Sequence, residues 1–290
     1  MIPVGLWVWN LLTDQEEGRG TLMDNLSFLH DHGVTRLYVK AGDGPTLWQQ
    51  FAQHANRLRG AGFEVWSWQY VYGHDPAKEV APAVSAWLFG SEGHILDAET
   101  EFTGKDPTEL ISRIREMDPA WPLWYSSFAF PEYHSDFPWD KFHEQCDGAM
   151  PQVFPAYGSL WRPDAGTQTA ESYARRLGDG KLVPTWEMFD RQGASLPSVW
   201  WETALADAEQ FGRLAVFRWG KVGPGGWAVL SGEPSHSELQ TRLDYLQGDV
   251  ATAIEGPIRS ALTYKSLPKR ARAGLGAALD AVDTLKREGR

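Results

Sequence analysis

The sequence predicts a closed (β/α)8 barrel followed by a helical tail, and three observations predict it. Apolar, β-prone runs recur eight times before residue 222. A helical stretch separates each run from the next. The runs are near-continuously apolar rather than alternating, as strands covered on both faces are. Eight alternating units imply parallel strands joined by right-handed crossovers, and closure is the natural solution at that count. An open doubly wound sheet normally carries a glycine-rich phosphate loop after its first strand, and Trp7-Val8-Trp9-Asn10 offers none.

The strands are expected over residues 5–10, 36–43, 64–70, 94–101, 122–129, 148–157, 182–190 and 214–221. The intervening helices are expected over 21–32, 46–60, 77–88, 107–117, 139–145, 169–177 and 198–211. Their apolar residues recur on one face, as Leu22, Leu26 and Leu29 do, or Phe51, Ala55 and Leu58. Gly33, Gly60, Gly62 and Gly212 stand where helices return to strands, and Asp106-Pro107 supplies a cap followed by a first-turn proline. Gly223-Pro224-Gly225-Gly226 reads as a flexible loop, with a last barrel helix over 237–246. The barrel domain is therefore placed at 1–248 and a basic helical tail at 249–290. In that tail Leu275, Ala278, Leu279, Val282 and Leu285 share one helix face. Such a helix either packs on the barrel or docks a protein partner, and the sequence leaves both open.

Charge narrows the function. The chain carries −11 overall, but residues 250–290 hold eight basic and four acidic side chains, so the body is more acidic still. An acidic body argues against nucleic-acid binding, which requires a basic surface to neutralise phosphates. No apolar run is long enough to span a bilayer. The N-terminus lacks the basic-then-apolar pattern of a secretory signal, which implies a cytoplasmic protein at synthesis. The single cysteine, Cys146, excludes an internal disulfide and reads as a packed residue. No histidine pair has zinc-site spacing, no cofactor motif is present, and no serine-hydrolase elbow occurs. All 15 tryptophans precede residue 228.

In such barrels, chemistry sits at the C-terminal ends of the strands. The richest end is Ile95-Leu96-Asp97-Ala98-Glu99-Thr100-Glu101. A period of two puts Asp97, Glu99 and Glu101 on one side, where mutual repulsion should raise at least one pKa, as a general acid requires. An ion-pair network with Lys40 or Arg218 is the competing, purely structural explanation. Other strand ends supply Lys40, Asp43, Gln69, Tyr125, Gln152, Tyr157 and Glu187. Trp68, Trp186 and Trp219, with Trp7 and Trp9, are candidates to wall the mouth. Acids, amides and flat apolar rings together suit a neutral polyhydroxylated ligand, a sugar above all.

Two stretches resemble a known family. Tyr38-Val39-Lys40-Ala41-Gly42-Asp43-Gly44 looks like the second-strand motif of glycoside hydrolase family 25 lysozymes, and Leu96-Asp97-Ala98-Glu99 looks like their fourth-strand Asp-x-Glu. Residues 137–153, from Phe137-Pro138-Trp139 to Met150-Pro151-Gln152-Val153, are similar to a group of glycoside-hydrolase-like barrels of bacteria and phages. The resemblance spans about residues 1–230. It implies Glu99 as proton donor, Asp97 as its assistant, and a polysaccharide such as peptidoglycan as substrate. Lys40, Gln69, Tyr125, Gln152 and Tyr157 would hold hydroxyls. The family's aspartate at the end of strand 1 is missing, so the second carboxylate must be Asp97, Glu101, Glu187 or Asp190. The same gap motivates a second expectation, a barrel that binds glycan without cutting it. Carriage on a phage or phage-like particle would be one route to an external substrate.

Overall fold

The computed structural model describes residues 2–154, 164–178, 180–190 and 192–232, with Leu279 beyond them. Eight strands form the barrel: β1 (Val4–Val8), β2 (Val34–Asp43), β3 (Glu64–Val71), β4 (His94–Ala98), β5 (Leu123–Phe128), β6 (Gly148–Val153), β7 (Thr185–Glu187) and β8 (Leu214–Phe217). Each pairs in parallel with the next, and β1 pairs with both β2 and β8, which closes the ring. Each strand is followed by a helix of the outer layer: α1 (Leu26–Asp31), α2 (Gln49–Gly60), α3 (Ala81–Leu88, preceded by a four-residue helix, Pro76–Glu79), α4 (Thr108–Met117), α5 (Trp139–Gln145), α6 (Ala165–Leu177), α7 (Ser198–Ala208) and α8 (Gly223–Ser231).

Register explains the continuous hydrophobicity of the strands. Inward-facing Trp7, Tyr38, Trp66, Trp68, Ile95, Met150 and Ala215 form one buried cluster inside the ring. Their neighbours Leu6, Val8, Leu37, Val39, Val65, Leu96, Leu123 and Val216 are buried as well, the other half of the two-residue period that faces the helix layer. Large rings inside so narrow a barrel need small neighbours. At Gly5 a Cβ would lie 2.6 Å from the Tyr38 ring, so only glycine leaves room for it.

Several boundaries differ from expectation for local reasons. Thr46–Leu47 turns back to pair with Gly42 and Asp43, so α2 begins only at Gln49. The stretch 21–32 opens as a 3-10 turn, Leu22–Asp24, before α1. Strand β4 stops at Ala98 and the chain enters a 3-10 turn over Thr100–Phe102. The largest correction concerns Gly223-Pro224-Gly225-Gly226, which is the first turn of α8 and not a loop. Pro224 suits a first helical turn. A Cβ at Gly226 would meet the Trp201 ring at 2.5 Å, so that glycine serves close packing against α7. Buried Glu16 accepts the Gly220, Val222 and Gly223 N–H groups where this helix begins. The helix expected over 237–246, the boundary at 248, the tail face from Leu275 to Leu285 and Tyr157 lie outside the described residues, apart from Leu279 itself. Among the described residues no helix is long and apolar enough to cross a membrane.

Candidate active site

Strand register sets Tyr70, Asp97 and Ser126 side by side on the inner face at the C-terminal end of the barrel. Gln152, at the end of β6, reaches across to them. Its Nε2 donates to Asp97 Oδ1 and to Glu99 Oε1, each at 2.9 Å, and lies 3.4 Å from Ser126 Oγ. Those two carboxylate oxygens therefore share one amide nitrogen. An amide supplies hydrogen bonds but no positive charge, so the repulsion between the two acids is not cancelled.

Burial raises the Asp97 pKa well above the usual carboxylate range; Glu99 adds to the rise, while Lys40, Gln152 and Ser126 oppose it. Burial also raises Glu99, with Gln152 opposing and Glu101 adding to the rise. The pair is thus driven toward holding a proton. Neither Lys40 nor Arg218 forms an ion pair with it. Lys40 binds Asp43 at 2.7 Å and Arg218 binds Asp14. The expected row of three carboxylates is broken because the chain leaves the strand after Ala98. Glu101 is carried to the exposed lip, where it accepts the Tyr70 hydroxyl.

Glu187, at the end of β7, faces the same space. Its Oε2 is buried without a hydrogen-bond partner, and burial raises its pKa to about 7. A cleft of about 560 Å3 runs past Glu99, Gln152 and Glu187, walled by Trp9, Phe128, Phe130, Tyr133, His134, Phe154 and Phe217. A deeper pit of about 230 Å3 shares Trp9, Glu99, Gln152, Phe154 and Phe217 with it, and is completed by Trp7, Tyr70, Asp97, Ser126 and Thr185. Trp7 Nε1 and Thr185 Oγ1 are also buried and unpartnered. A pocket that leaves a donor, a hydroxyl and a carboxylate oxygen unsatisfied is shaped for a polar guest.

The structure brings together Asp97, Glu99, Gln152 and Glu187, and it places the other expected residues elsewhere. Gln69 and Tyr125 are register partners of Leu96, hence on the outer face once Asp97 is inside. Gln69 donates to the Glu79 carbonyl and meets His94, while Tyr125 packs on Phe142 of α5. Trp186 also faces outward, close enough to Gly166 of α6 that a Cβ there would touch its ring. Trp219 is buried against Trp227 of α8 and donates to the Asp14 carbonyl. Trp68 faces inward but is fully buried, edge-on to Trp7 and Trp9, with its indole N–H on the Val8 carbonyl. These three rings are core, not mouth. Lys40 is enclosed and bonded to Asp43, itself one-third exposed and also bound by Tyr72. Asp190 accepts the backbone N–H groups of Gln192 and Ala194 in its own turn. Cys146 is half-buried, and desolvation of its thiol pushes the pKa up, with Arg115 opposing and Asp147 adding to the rise.

Sequence reasoning missed Ser126, Thr185, Phe128, His134 and Phe217. Counting by two from Asp97 along paired strands would have found Ser126, but that count requires the register. Phe128 and His134 stack face to face at 3.6 Å, an arrangement of a strand end and a loop with no motif of its own. Among the described residues no cluster of three or more His, Cys, Asp or Glu side chains could hold a metal ion.

No family model matches the sequence, and no curated protein is a close enough match to count as a relative. Solved structures do match. A GH18 chitinase from Pseudoalteromonas aurantia is similar at TM-score 0.57 and 10% identity, over 80% of this chain and 100% of that one. The catalytic domain of a hyperthermophilic chitinase from Pyrococcus furiosus is similar at TM-score 0.57 and 12% identity, over 83% and 96%. At such identities the likeness shows the fold, a (β/α)8 barrel with distant structural similarity to glycoside hydrolases. A bacterial lysozyme from Streptomyces coelicolor overlaps 52% of this chain and 75% of that one at TM-score 0.38 and 14% identity, too loosely to distinguish one barrel family from another.

Proposed function

We propose that the cleft binds a polysaccharide, peptidoglycan being the leading candidate, and hydrolyses a glycosidic bond in it. The observation that carries this reading is the Asp97–Gln152–Glu99 arrangement: a buried acid and a half-buried one at the end of β4, held by an amide and not by a cation. Protonated Glu99 would give its proton to the glycosidic oxygen as the C–O bond breaks and its electron pair leaves with that oxygen. Asp97, one shared hydrogen-bond donor away, would hold the pair's remaining negative charge against the developing positive charge on the sugar. Glu187 is the second carboxylate in the same cleft, acting either as base toward water or as nucleophile. The aromatic walls would take sugar faces, and the unpartnered Trp7, Thr185 and Glu187 atoms would take hydroxyls.

The test is release of reducing ends from purified cell walls and a panel of glycans, wild type against Glu99→Gln. Equal rates in the two proteins would remove Glu99 from the mechanism. The anomer of the first product, read by NMR, separates the two roles for Glu187. A second reading is binding without cleavage. It is favoured by the end of β1, where Trp9 and Asn10 offer no carboxylate and the nearby Asp14 is committed to Arg218. Calorimetry with oligosaccharides that shows saturable binding and no product would establish it.

A further inference from the structure

Lys40 is the one lysine of the described barrel whose side chain is completely buried, at 0% exposure. A buried ammonium is costly unless its charge and its donors are met. Here it donates to Asp43 Oδ2 at 2.7 Å, and three indole faces close around it. The nitrogen lies 3.9 Å from the Trp9 ring centre, 4.5 Å from Trp48 and 4.9 Å from Trp68. Trp68 is fully buried and Trp48 half-buried, neither of them lining the cleft, whereas Trp9 is 37% exposed and forms part of the cleft wall.

The backbone of Trp9 is fixed separately. Buried Gln50, in the first turn of α2, donates to the Trp9 carbonyl at 2.7 Å and the Lys40 carbonyl at 2.9 Å, and accepts the Leu11 N–H at 2.9 Å. That clamp ties the ends of β1 and β2 together but leaves the indole free to rotate about its side-chain bonds. The ring is met edge-on by Trp68 at 5.5 Å and Phe217 at 6.4 Å. Arg218 stands 5.4 Å from it but is turned to Asp14. Among the described residues the shortest attraction acting on its face is the Lys40 ammonium.

We infer that Lys40 is a positioning residue of the cleft: its boxed ammonium, anchored by Asp43, holds the Trp9 ring in the orientation that makes it a wall for the ligand. The lysine thus acts on a glycan through Trp9 and does not touch it. The role of that wall rests on the glycan reading above, whereas the holding of the ring does not.

Two measurements separate them. N-bromosuccinimide oxidation, resolved by peptide mass spectrometry, reports the accessibility of Trp9 without any ligand. Trp87, on the outer helix α3 and also 37% exposed, is the internal reference. Lys40→Met keeps much of the side-chain volume and removes the charge. It should raise Trp9 oxidation roughly fivefold relative to Trp87, and Asp43→Asn should raise it in the same direction by less. An unchanged ratio in both overturns the inference; if Lys40→Met does not fold, Asp43→Asn decides alone. The second measurement is a double-mutant cycle with a chitin hexasaccharide and solubilised peptidoglycan as probes. Lys40→Met and Trp9→Ala should each raise KM, or Kd if nothing is cleaved, by about tenfold with a smaller change in kcat. The double variant should be no worse than Trp9→Ala. Fully additive losses overturn the inference. If wild type binds neither probe, the glycan reading fails, and the oxidation ratio still decides whether Lys40 holds the ring.

Discussion

Two buried polar clusters face each other through the wall of the barrel at strand β4, and they are built on opposite terms. On the outer side His94 joins Ser67 at 2.7 Å and Gln69 at 3.1 Å, Gln69 donates to the Glu79 carbonyl, and Ser91 closes the group against Ser67 and the Gly93 carbonyl. Every side-chain polar atom in that group has a partner. On the inner side Asp97 and Glu99 share one amide, and Trp7, Thr185 and Glu187 each leave an atom unpaired. A satisfied buried network stabilises a fold, whereas an unsatisfied one costs stability and awaits a guest. Residue type does not tell the two apart, since both clusters mix amides, hydroxyls and ionisable groups, and unpaired atoms also occur in the framework, at Tyr125 and Trp186; what marks the inner cluster is that its unpaired atoms line a cavity.

Exchanging one member of each cluster should break the comparison most visibly. Glu99→Gln should slow hydrolysis by about 10²–10⁴-fold while leaving the melting temperature unchanged or higher, because a neutral amide is cheaper to bury than an acid beside Asp97. His94→Ala should do the reverse. It strands Ser67 and Gln69 inside the wall, at a cost of roughly 2–4 kcal/mol, and lowers the melting temperature by several degrees. Its catalytic rate at temperatures where it is folded should be that of wild type. Thermal melts and initial rates on the same preparations check both; a Glu99→Gln protein that melts much earlier would make that acid part of the framework.

The pH dependence of stability should be opposite for the two sides. Burial lowers the His94 pKa to about 3 from 6.5, so the unfolded chain binds the proton first on acidification. The stability that depends on neutral His94 is complete above pH 6.5 and is lost as pH falls toward 3. Burial raises Glu187 to about 7 from 4.5, so its contribution is complete below pH 4.5 and is lost as pH rises through 7. Melting curves from pH 4 to 8 should therefore steepen on the acid side for wild type but flatten there for His94→Gln. Glu187→Gln should flatten the neutral side instead. Parallel wild-type and variant profiles would mean that neither group titrates as its surroundings require.

The strand order and the acidic end of β4 were legible because they depend on local pattern. Apolar runs punctuated by helices announce a parallel barrel, and Asp97 and Glu99 stand out as acids ending such a run. What was not legible depended on register and curvature. Gln69 and Tyr125 looked as well placed as Gln152, yet pairing with Leu96 turns both toward the helices. Trp68 and Trp186 looked like platforms, but a barrel this crowded with rings uses them as filling. Lys40 looked like a sugar ligand, since nothing local reveals that Trp9, Trp48 and Trp68, drawn from three segments, close over its ammonium. The glycines at 223, 225 and 226 suggested mobility, whereas the packing of Gly226 on Trp201 is a matter of tertiary fit.

The smallest expected effect lies on an exposed part of the cleft wall. Tyr133, at the end of the turn Pro131–Tyr133, is 74% exposed and has Phe130 as an aromatic neighbour at 5.6 Å. It borders the cleft and also a polar hollow of about 350 Å3 lined with Glu132, Gln168, Glu171 and Arg175. Tyr133 lines both, so a chain long enough to run from one to the other would meet it. Losing so exposed a side chain should change stability by less than about 0.5 kcal/mol. A long glycan should lose one stacking contact, worth about threefold in affinity, and a short one bound beside Glu99 should lose nothing. Titrating Tyr133→Ala with a disaccharide and a hexasaccharide of the same repeat reads this directly. Equal losses for both lengths would move Tyr133 into the central part of the site. No loss for either would confine the glycan to the cleft between Trp9 and Phe217.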